Sequence, residues 1–358
     1  MASIIANLRT KFYRGLKKPG VRGKVRPQRA SNLFTKETER GGPPRSEASV
    51  RGNLPPATGD DGMNLYAGLQ IGEACVKLGI VSAGGALVNR AAAPLPPGGP
   101  EEAASLCARL VRDHCPKAAG VGVAFAGRVD GRRGEVTAAN LGWTRAPMGR
   151  LLEARFGYAP PLFSDAECAL HAEWRLGVCR AMRDVLCLTL GTCVGGALLV
   201  RGRPYRGADN LGLEVGHMTT HAGGEPCPCG RNGCFERYAS QTALERMAGG
   251  LEAGQVIARA QAGEPRMVAA FHRYLDELCV GLSSLIALFH PQMTVLGGAL
   301  SHAGPYLLGS VRRHMQLPGT MSRGEAVPRI ELSVLGSDAV LIGAALMAGE
   351  RAPATLIP

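Results

Sequence analysis

One histidine and three cysteines with a fixed spacing constrain the fold of this chain more than any other feature. His217 is followed by Cys227, Cys229 and Cys234, which gives the pattern His-x9-Cys-x-Cys-x4-Cys. Structural zinc is bound tetrahedrally by four nitrogen or sulfur ligands, and one imidazole with three thiolates completes such a set. The sequence therefore predicts one structural zinc ion held by these four residues.

Two glycines and a second histidine bear on this prediction. Gly230 and Gly233 allow the tight backbone turns that three converging sulfurs require. His221, four residues after His217, is the alternative imidazole ligand and ranks second. The total of 11 cysteines is odd, and three of them are crowded into the cluster. This pattern indicates a reducing cytoplasm and one metal site, not a disulfide framework.

Positive charge is concentrated in the first 62 residues. This segment holds 13 of the 41 Lys and Arg but only 5 of the 29 Asp and Glu, so it carries +8 of the net charge of +12. It combines basic residues with Pro, Gly and Ser and lacks a long apolar period, which is typical of a disordered extension. The other interpretation is that translation of the protein starts at Met63. No specific nucleic-acid partner is expected, because Pro19, Pro27, Pro43 and Pro44 oppose the helices of a helix-turn-helix.

The chain contains no run of 18 or more uncharged apolar residues, so no membrane-spanning helix is expected. The short apolar stretch at residues 3–8 is followed by several basic residues and does not resemble a secretory signal. Both observations indicate a cytoplasmic protein.

The remaining chain is predicted to form two α/β lobes of similar design, at 63–180 and 181–358. Each half opens with two strands joined by a glycine-rich turn, at Gly72 in the first half and at 191–195 in the second. Helices are predicted at 101–114, 148–156, 166–176, 242–247, 252–261, 267–289 and 339–348. Two such lobes leave a cleft between them, and the last helix is expected to pack back on the first lobe.

Two stretches around the predicted zinc ligands resemble the ROK family, which contains bacterial glucokinases, N-acetylmannosamine kinases, fructokinases and sugar-responsive repressors. The segment 212–217 is similar to the Glu-x-Gly-His motif of that family, and 227–236 to its Cys-x-Cys-Gly-x-x-Gly-Cys-x-Glu motif. The resemblance runs from about Asn64 to Ala348. It implies an α/β, two-lobed actin/hexokinase-like (ribonuclease H-like) fold with a central cleft, and a homodimer.

The resemblance also implies a role for each matching residue. Asp165 matches the catalytic base, although an aspartate before a helix is also a common N-cap. Gly127 and Arg128 lie where the family usually has a Pro-Gly loop against the sugar, and an arginine at this position is similar to the acetylmannosamine kinases. The implied sugar-binding positions are Gly127, Arg128, Asn140, Ser164, Asp165, Glu214, His217 and Glu236. The implied nucleotide-binding positions are Gly72, Gly191, Thr192, Gly195, Gly196, Gly297 and Gly298.

The first phosphate loop departs from the family pattern. Where the family has Asp-x-Gly-Gly-Thr, residues 70–74 read Gln-Ile-Gly-Glu-Ala. Gln70 lacks the charged oxygen that helps to position Mg²⁺, and Glu73 adds a negative charge where polyphosphate should approach. In the second loop, Cys193 and Ala197 replace glycines. Ser164 replaces the family's Asn beside the catalytic aspartate.

Two classes of function follow from this contrast. The first is an ATP-dependent kinase that transfers the γ-phosphate of ATP to a hydroxyl of a hexose or N-acetylhexosamine, glucokinase-like, with structural zinc and with Mg²⁺ on the ATP. The alternative is a catalytically silent ROK pseudokinase that binds sugar as a sensor or scaffold. The kinase is favoured, because the base, the sugar ligands and the zinc ligands all remain. A repressor would need an N-terminal winged helix, which residues 1–62 do not supply.

Overall fold

The computed structural model describes residues 64–207, 213–322, 324 and 326–351. The predicted N-terminal extension, 1–62, lies outside the described residues. Thirteen strands are found in the described part of the chain: β1 (Leu65–Ile71), β2 (Cys75–Ser82), β3 (Leu87–Pro94), β4 (Gly120–Phe125), β5 (Arg128–Asp130), β6 (Glu135–Ala138), β7 (Trp143–Ala146), β8 (Leu162–Ser164), β9 (Val185–Leu190), β10 (Val194–Val200), β11 (Arg203–Pro204), β12 (Met293–Gly297) and β13 (Arg329–Leu332).

Nine α-helices lie in the same described ranges, and the seven predicted from the sequence are among them with ends within three residues. They are α1 (Pro100–His114), α2 (Met148–Phe156), α3 (Asp165–Arg175), α4 (Glu236–Ala239), α5 (Gln241–Met247), α6 (Ala253–Gln261), α7 (Pro265–Phe289), α8 (Gly304–Met315) and α9 (Ala339–Arg351). None of the helices in the described residues is long and apolar enough to cross a membrane.

The two halves of the described chain contain sheets with the same strand order. The first sheet runs β3-β2-β1-β4-β8 and the second β11-β10-β9-β12-β13. In each sheet the first three strands in sequence are antiparallel neighbours. The fourth strand pairs parallel to the first, and the fifth pairs parallel to the fourth. The inner strands β4 and β9 are buried at all six positions, as expected for strands covered on both faces. The repeated order confirms the predicted two-lobed α/β fold.

The last helix, α9, packs against the first sheet although it follows the second in sequence. A Cβ atom on Gly68 would collide with the carbonyl oxygen of Leu341, and one on Gly122 with that of Ala344. Both glycines are therefore required for the close approach of helix and sheet. Because α9 and the crossover helix α3 both bridge the halves, the chain passes twice between the two sheets.

A small third sheet, β5-β6-β7, projects from the first lobe toward the cleft. The sequence did not predict it, because its strands have only three or four residues and lie between glycines and charged side chains. The meander is followed by α2 and carries Arg128 at one end. The short 3-10 helix Ala139–Leu141 interrupts it and carries Asn140.

Candidate active site

A cleft of about 970 Å³ opens between the two sheets. Strand ends and turns of both halves form its wall, as expected for ligand sites in α/β proteins. Every residue predicted to bind sugar or nucleotide lines this cleft: Gly72, Gly127, Arg128, Asn140, Ser164, Asp165, Gly191, Thr192, Gly195, Gly196, Glu214, His217, Glu236, Gly297 and Gly298.

Asp165 is the first residue of α3, at the end of β8. Its Oδ1 accepts a 2.7 Å hydrogen bond from the backbone N–H of Ala166. The N-cap is Ser164, whose hydroxyl accepts a hydrogen bond from the Glu167 N–H at 3.2 Å. The capping function that the sequence left open for Asp165 thus belongs to its neighbour, and the Asp165 carboxylate is available to a ligand.

The electrostatic surroundings of Asp165 favour a base that works near neutrality. Burial raises the pKa of Asp165 to about 6, and the negative charge of Glu214 adds to the effect, whereas the Ala166 N–H acts in the opposite direction. A carboxyl group with such a pKa is ionised at pH 7 and still binds a proton readily, which general base catalysis requires.

Asp165 also lies against the second glycine turn (Gly191–Cys193) and the strand that follows it. A Cβ atom on Gly195 would lie 3.4 Å from Oδ1 of Asp165 and would collide with the hydroxyl of Thr189. The absence of a side chain at Gly195 therefore lets Asp165 and the backbone that follows the second glycine turn approach each other. Thr189 is a contact that the sequence did not reveal, because it lies within the buried strand β9.

The second glycine turn is held in place by the start of α5. The Gln241 N–H donates to the carbonyl oxygen of Gly191 at 2.8 Å, and the Thr242 hydroxyl donates to that of Thr192 at 3.1 Å. These bonds satisfy two carbonyl groups of the turn, and the Gly191 N–H donates to the carbonyl oxygen of Cys193 at 3.0 Å. A fixed turn of this kind suits an anion. Neither Gln241 nor Thr242 was singled out from the sequence, since they match no motif.

His217 lies between two carboxylates on the opposite wall of the cleft. Its Nε2 is 3.8 Å from Oε2 of Glu214, and its Nδ1 is 3.6 Å from Oε1 of Glu236. Burial raises the pKa of Glu214, and Glu236 contributes, while the charges of His217 and Arg128 lower it. Two carboxylates and an imidazole that converge in this way offer several acceptors to a polyol.

The four predicted metal ligands, His217 and the three cysteines, converge at one place beside the cleft. Their ligand atoms all lie within 4.8 Å of one another. Sγ of Cys229 and Sγ of Cys234 are 3.6 Å apart, and Nδ1 of His217 is 3.7 Å from Sγ of Cys227. Zn–S bonds of about 2.3 Å in a tetrahedron correspond to edges of about 3.8 Å, so the donor set and its spacing fit zinc.

The loop that carries these cysteines depends on its glycines, as the sequence predicted. Gly230 and Gly233 have φ of 88° and 73°, in the left-handed region that favours glycine. A Cβ atom on Gly233 would collide with the carbonyl oxygen of His221. The imidazole of His221 itself stacks on Tyr238 and lies 3.5 Å from Glu277, away from the metal ligands. His217 is therefore the imidazole placed to ligate.

The first glycine turn (Gly72–Ala74) faces the second turn. The Gly72 N–H donates to the carbonyl oxygen of Cys75 at 3.0 Å, and Glu73 is exposed. Burial, the charge and hydrogen bond of Glu236 and the charge of Glu73 raise the pKa of the Cys193 thiol to about 12. Glu73 and Cys193 line the same cleft, and the negative charge of Glu73 is felt at the second glycine turn.

Comparisons with known proteins agree with this geometry. The ROK family model matches residues 66–351. A glucokinase of Streptomyces coelicolor is 29% identical over 318 residues, which cover 81% of this chain and 99% of the relative. An N-acetyl-D-glucosamine kinase of Yersinia pseudotuberculosis is 32% identical over 254 residues, covering 65% of this chain and 81% of the relative. The solved structure of a Streptomyces griseus ROK glucokinase with glucose and AMPPNP superposes with a TM-score of 0.74 at 28% identity, covering 80% of this chain and all of the other.

Proposed function

The chain belongs to the ROK family, and on that premise we propose that it is an ATP-dependent hexose kinase of glucokinase type. The S. coelicolor and S. griseus relatives are glucokinases, and the Y. pseudotuberculosis relative acts on N-acetyl-D-glucosamine. The acceptor proposed for this chain is accordingly a hexose or N-acetylhexosamine, with glucose the first candidate.

One observation carries the proposal. Asp165 lies between the sugar-binding wall and the phosphate-binding wall, since Glu214 contributes to its raised pKa and the Cβ position of Gly195 lies 3.4 Å from its Oδ1. Transfer of a phosphoryl group to a hydroxyl requires a base at this junction. A cleft that bound only sugar would not require this carboxylate to lie beside the second glycine turn.

The reaction follows from this placement. A sugar hydroxyl held by Glu214, His217 and Glu236 attacks the γ-phosphorus of ATP in line with the β–γ bridging oxygen. The bond from the γ-phosphorus to that oxygen breaks, and ADP leaves with its electron pair. Asp165 accepts the proton of the hydroxyl as the new P–O bond forms. Mg²⁺ enters with ATP as the counter-ion of the donor.

The zinc ion has a structural role in this proposal. His217, Cys227, Cys229 and Cys234 would hold it, and a closed set of four protein ligands leaves no position for a substrate. His217 presents Nδ1 to the sulfurs and Nε2 to Glu214, so one imidazole can serve the metal and the sugar with different nitrogens. Zinc would thereby fix the orientation of His217 and of the loop leading to Glu236.

The test is a transfer assay with ATP–Mg²⁺ and glucose, N-acetylglucosamine, N-acetylmannosamine and fructose, each measured for sugar phosphate. Calorimetry with ATP–Mg²⁺ and with each sugar, performed separately, accompanies it. Formation of a hexose phosphate with turnover supports the kinase. Tight sugar binding with no transfer from ATP contradicts it.

A second candidate function is that of a sugar-binding ROK protein without transfer activity. The observation that favours it is the first phosphate loop, residues 70–74, where Gln70 and Glu73 stand in place of an aspartate and a glycine. The same pair of experiments separates the two candidates, because a silent protein would bind sugar and leave ATP unbound.

The assembly and the compartment are part of the proposal. A homodimer is expected from family membership, and sedimentation of the purified chain tests it. All eleven cysteines lie in described residues and none of them forms a disulfide bond there, which supports a reducing compartment such as the cytoplasm.

A further inference from the structure

Lysine is rare in the part of the chain that forms the lobes. Beyond residue 63 the sequence contains two lysines, Lys77 and Lys117, while its other cationic side chains are arginines and histidines. Among the described residues Lys77 is the lysine that lines the cleft. Lys117 is exposed in the turn before β4 and does not line it.

The strand register places Lys77 beside the altered phosphate loop. β1 and β2 pair antiparallel, and Gln70 is directly opposite Lys77. Their Cβ atoms are therefore about 4.5–5.5 Å apart on one face of the sheet. Val76 and Leu78, the neighbours of Lys77 along the strand, are fully buried in the core, whereas Lys77 is only half-buried. Alternation along the strand thus directs the Lys77 side chain to the cleft face.

No acidic side chain of the described residues forms an ion pair with Lys77. Five arginines also line the cleft: Arg128, Arg132, Arg206, Arg231 and Arg351. Arg206 is paired with Glu167, and Arg231 donates to the carbonyl oxygen of His217. Lys77 differs from all five because it lies directly opposite Gln70 in the strand register. An unpaired ammonium group in a cleft retains its full charge for an anionic ligand. Glu73 of the first glycine turn and Cys193 of the second line the same cleft as Lys77.

We propose that Lys77 binds the terminal phosphate of the phosphoryl donor. Its ammonium group supplies positive charge at a place where Gln70 positions Mg²⁺ poorly. The amide of Gln70 is neutral and holds Mg²⁺ and its water ligands less well than a carboxylate. An ammonium group on the neighbouring strand compensates directly, since it attracts the phosphate oxygens as a point charge. Charge on these oxygens must be neutralised during transfer, so Lys77 contacts the reacting group. This inference rests on the proposed kinase function.

The experiment compares Lys77→Met and Lys77→Arg with the matched control Lys117→Met. Binding of ATP–Mg²⁺ and of ADP–Mg²⁺ is measured by calorimetry, glucose binding is measured separately, and kcat/KM for ATP is determined. Lys77→Met should weaken ATP binding or kcat/KM by about 10- to 100-fold, with a much smaller effect on ADP, which lacks the terminal phosphate. Lys77→Arg should recover part of the loss. Lys117→Met should behave as the natural protein, and glucose affinity should stay constant in all variants.

The outcomes separate this inference from the function on which it rests. If no sugar is phosphorylated but ATP binding depends on Lys77 as described, the kinase proposal fails and the phosphate contact stands. If the natural protein is an active kinase and Lys77→Met stays within twofold of it for both nucleotides, the Lys77 inference is overturned. An equal loss of ATP and ADP binding with a lower melting temperature would also overturn it, because a structural role would then explain the effect.

Discussion

The hydroxyl of Ser333 donates a 2.5 Å hydrogen bond to Oε1 of Glu173, and this bond joins the two chain connections between the lobes. Glu173 lies in the last turn of α3, before the connection to β9, and Ser333 follows β13, in the connection to α9. The Glu173 carboxylate is fully buried and also accepts from the N–H groups of Leu335 at 2.9 Å and Val178 at 2.8 Å. Both crossings are therefore fixed to one side chain.

Replacement of Glu173 by Gln should destabilise the fold measurably. The amide has one acceptor oxygen instead of two, and its NH₂ group would face donors, so the free energy of unfolding should fall by about 1–3 kcal/mol. Ser333→Ala should cost about 1 kcal/mol, since it removes one of three donors. Urea unfolding measures both, with Glu153→Gln on the exposed face of α2 as the control. Equal stability of Glu173→Gln and the natural protein would show that the carboxylate does not join the crossings energetically.

Zinc should be present at about one ion per chain in the purified protein, since the four ligand atoms are already gathered. Cys229→Ser removes one ligand, and it should lower the zinc content, the melting temperature and the affinity for glucose together. Cys75→Ser, outside the cluster, should keep its zinc. Metal analysis by mass spectrometry checks this, and natural protein that is folded and free of zinc would contradict the assignment.

The elements that could be predicted from the sequence are those whose pattern lies within a short stretch of residues. The paired strands around Gly72 and Gly191 and the long helices were recognised because their periodicity is local. The strand β3 carries a weak sequence signal, because many of its side chains are small and its residues alternate between half-buried and exposed at the sheet edge. The helix α8 was missed because glycines, arginines and a histidine weaken its apolar pattern.

The site shows the same division. The four predicted zinc ligands and the predicted sugar-binding carboxylates lie in short motifs, and the structure gathers the four ligands and places Glu214, His217 and Glu236 at the cleft. Lys77 and Glu173 lie outside every motif. Their surroundings depend on pairing between strands and on contacts across 160 residues of sequence, as for Glu173 and Ser333, and no local pattern records such contacts.

Asp165 gives a pH dependence with a definite sign. Burial raises its pKa from the ordinary 3.8 to about 6, so the carboxylate that accepts the proton is present above pH 6 and is lost below it. The value of kcat/KM should therefore fall about tenfold per pH unit below pH 6. Measurement between pH 4.5 and 8 checks this, and a flat profile down to pH 5 would contradict it.

Replacement of Asp165 by Asn should separate chemistry from binding. Transfer should fall by about 10²- to 10⁴-fold, because the amide cannot accept the proton. Glucose affinity should change little, since Glu214, His217 and Glu236 remain. The melting temperature at pH 8 should not fall, because the raised pKa means that burial disfavours the charged form. Asp113→Asn, exposed on α1, serves as the control. Retained activity in Asp165→Asn would assign the base elsewhere.

Restoration of the family pattern at residues 70–74 should increase kcat/KM for ATP. The triple variant Gln70→Asp, Glu73→Gly, Ala74→Thr regains a carboxylate for the hydrated Mg²⁺, removes a negative charge and adds a hydroxyl donor. Each change is worth on the order of 1–3 kcal/mol, so roughly tenfold in kcat/KM for ATP. Glu73→Gly alone should supply a clear part of the gain, because the Glu73 charge reaches Cys193 in the second turn.

Gln70→Asp alone should gain less, since the new carboxylate would lie opposite Lys77 and could pair with it. Steady-state kinetics with varied ATP–Mg²⁺ and saturating glucose distinguish the variants, and calorimetry confirms that glucose affinity is unchanged. If the triple variant has the same kcat/KM as the natural protein, the first turn does not limit the reaction. In that case the natural loop already binds the phosphoryl donor, and Gln70 and Glu73 do not obstruct its phosphate groups.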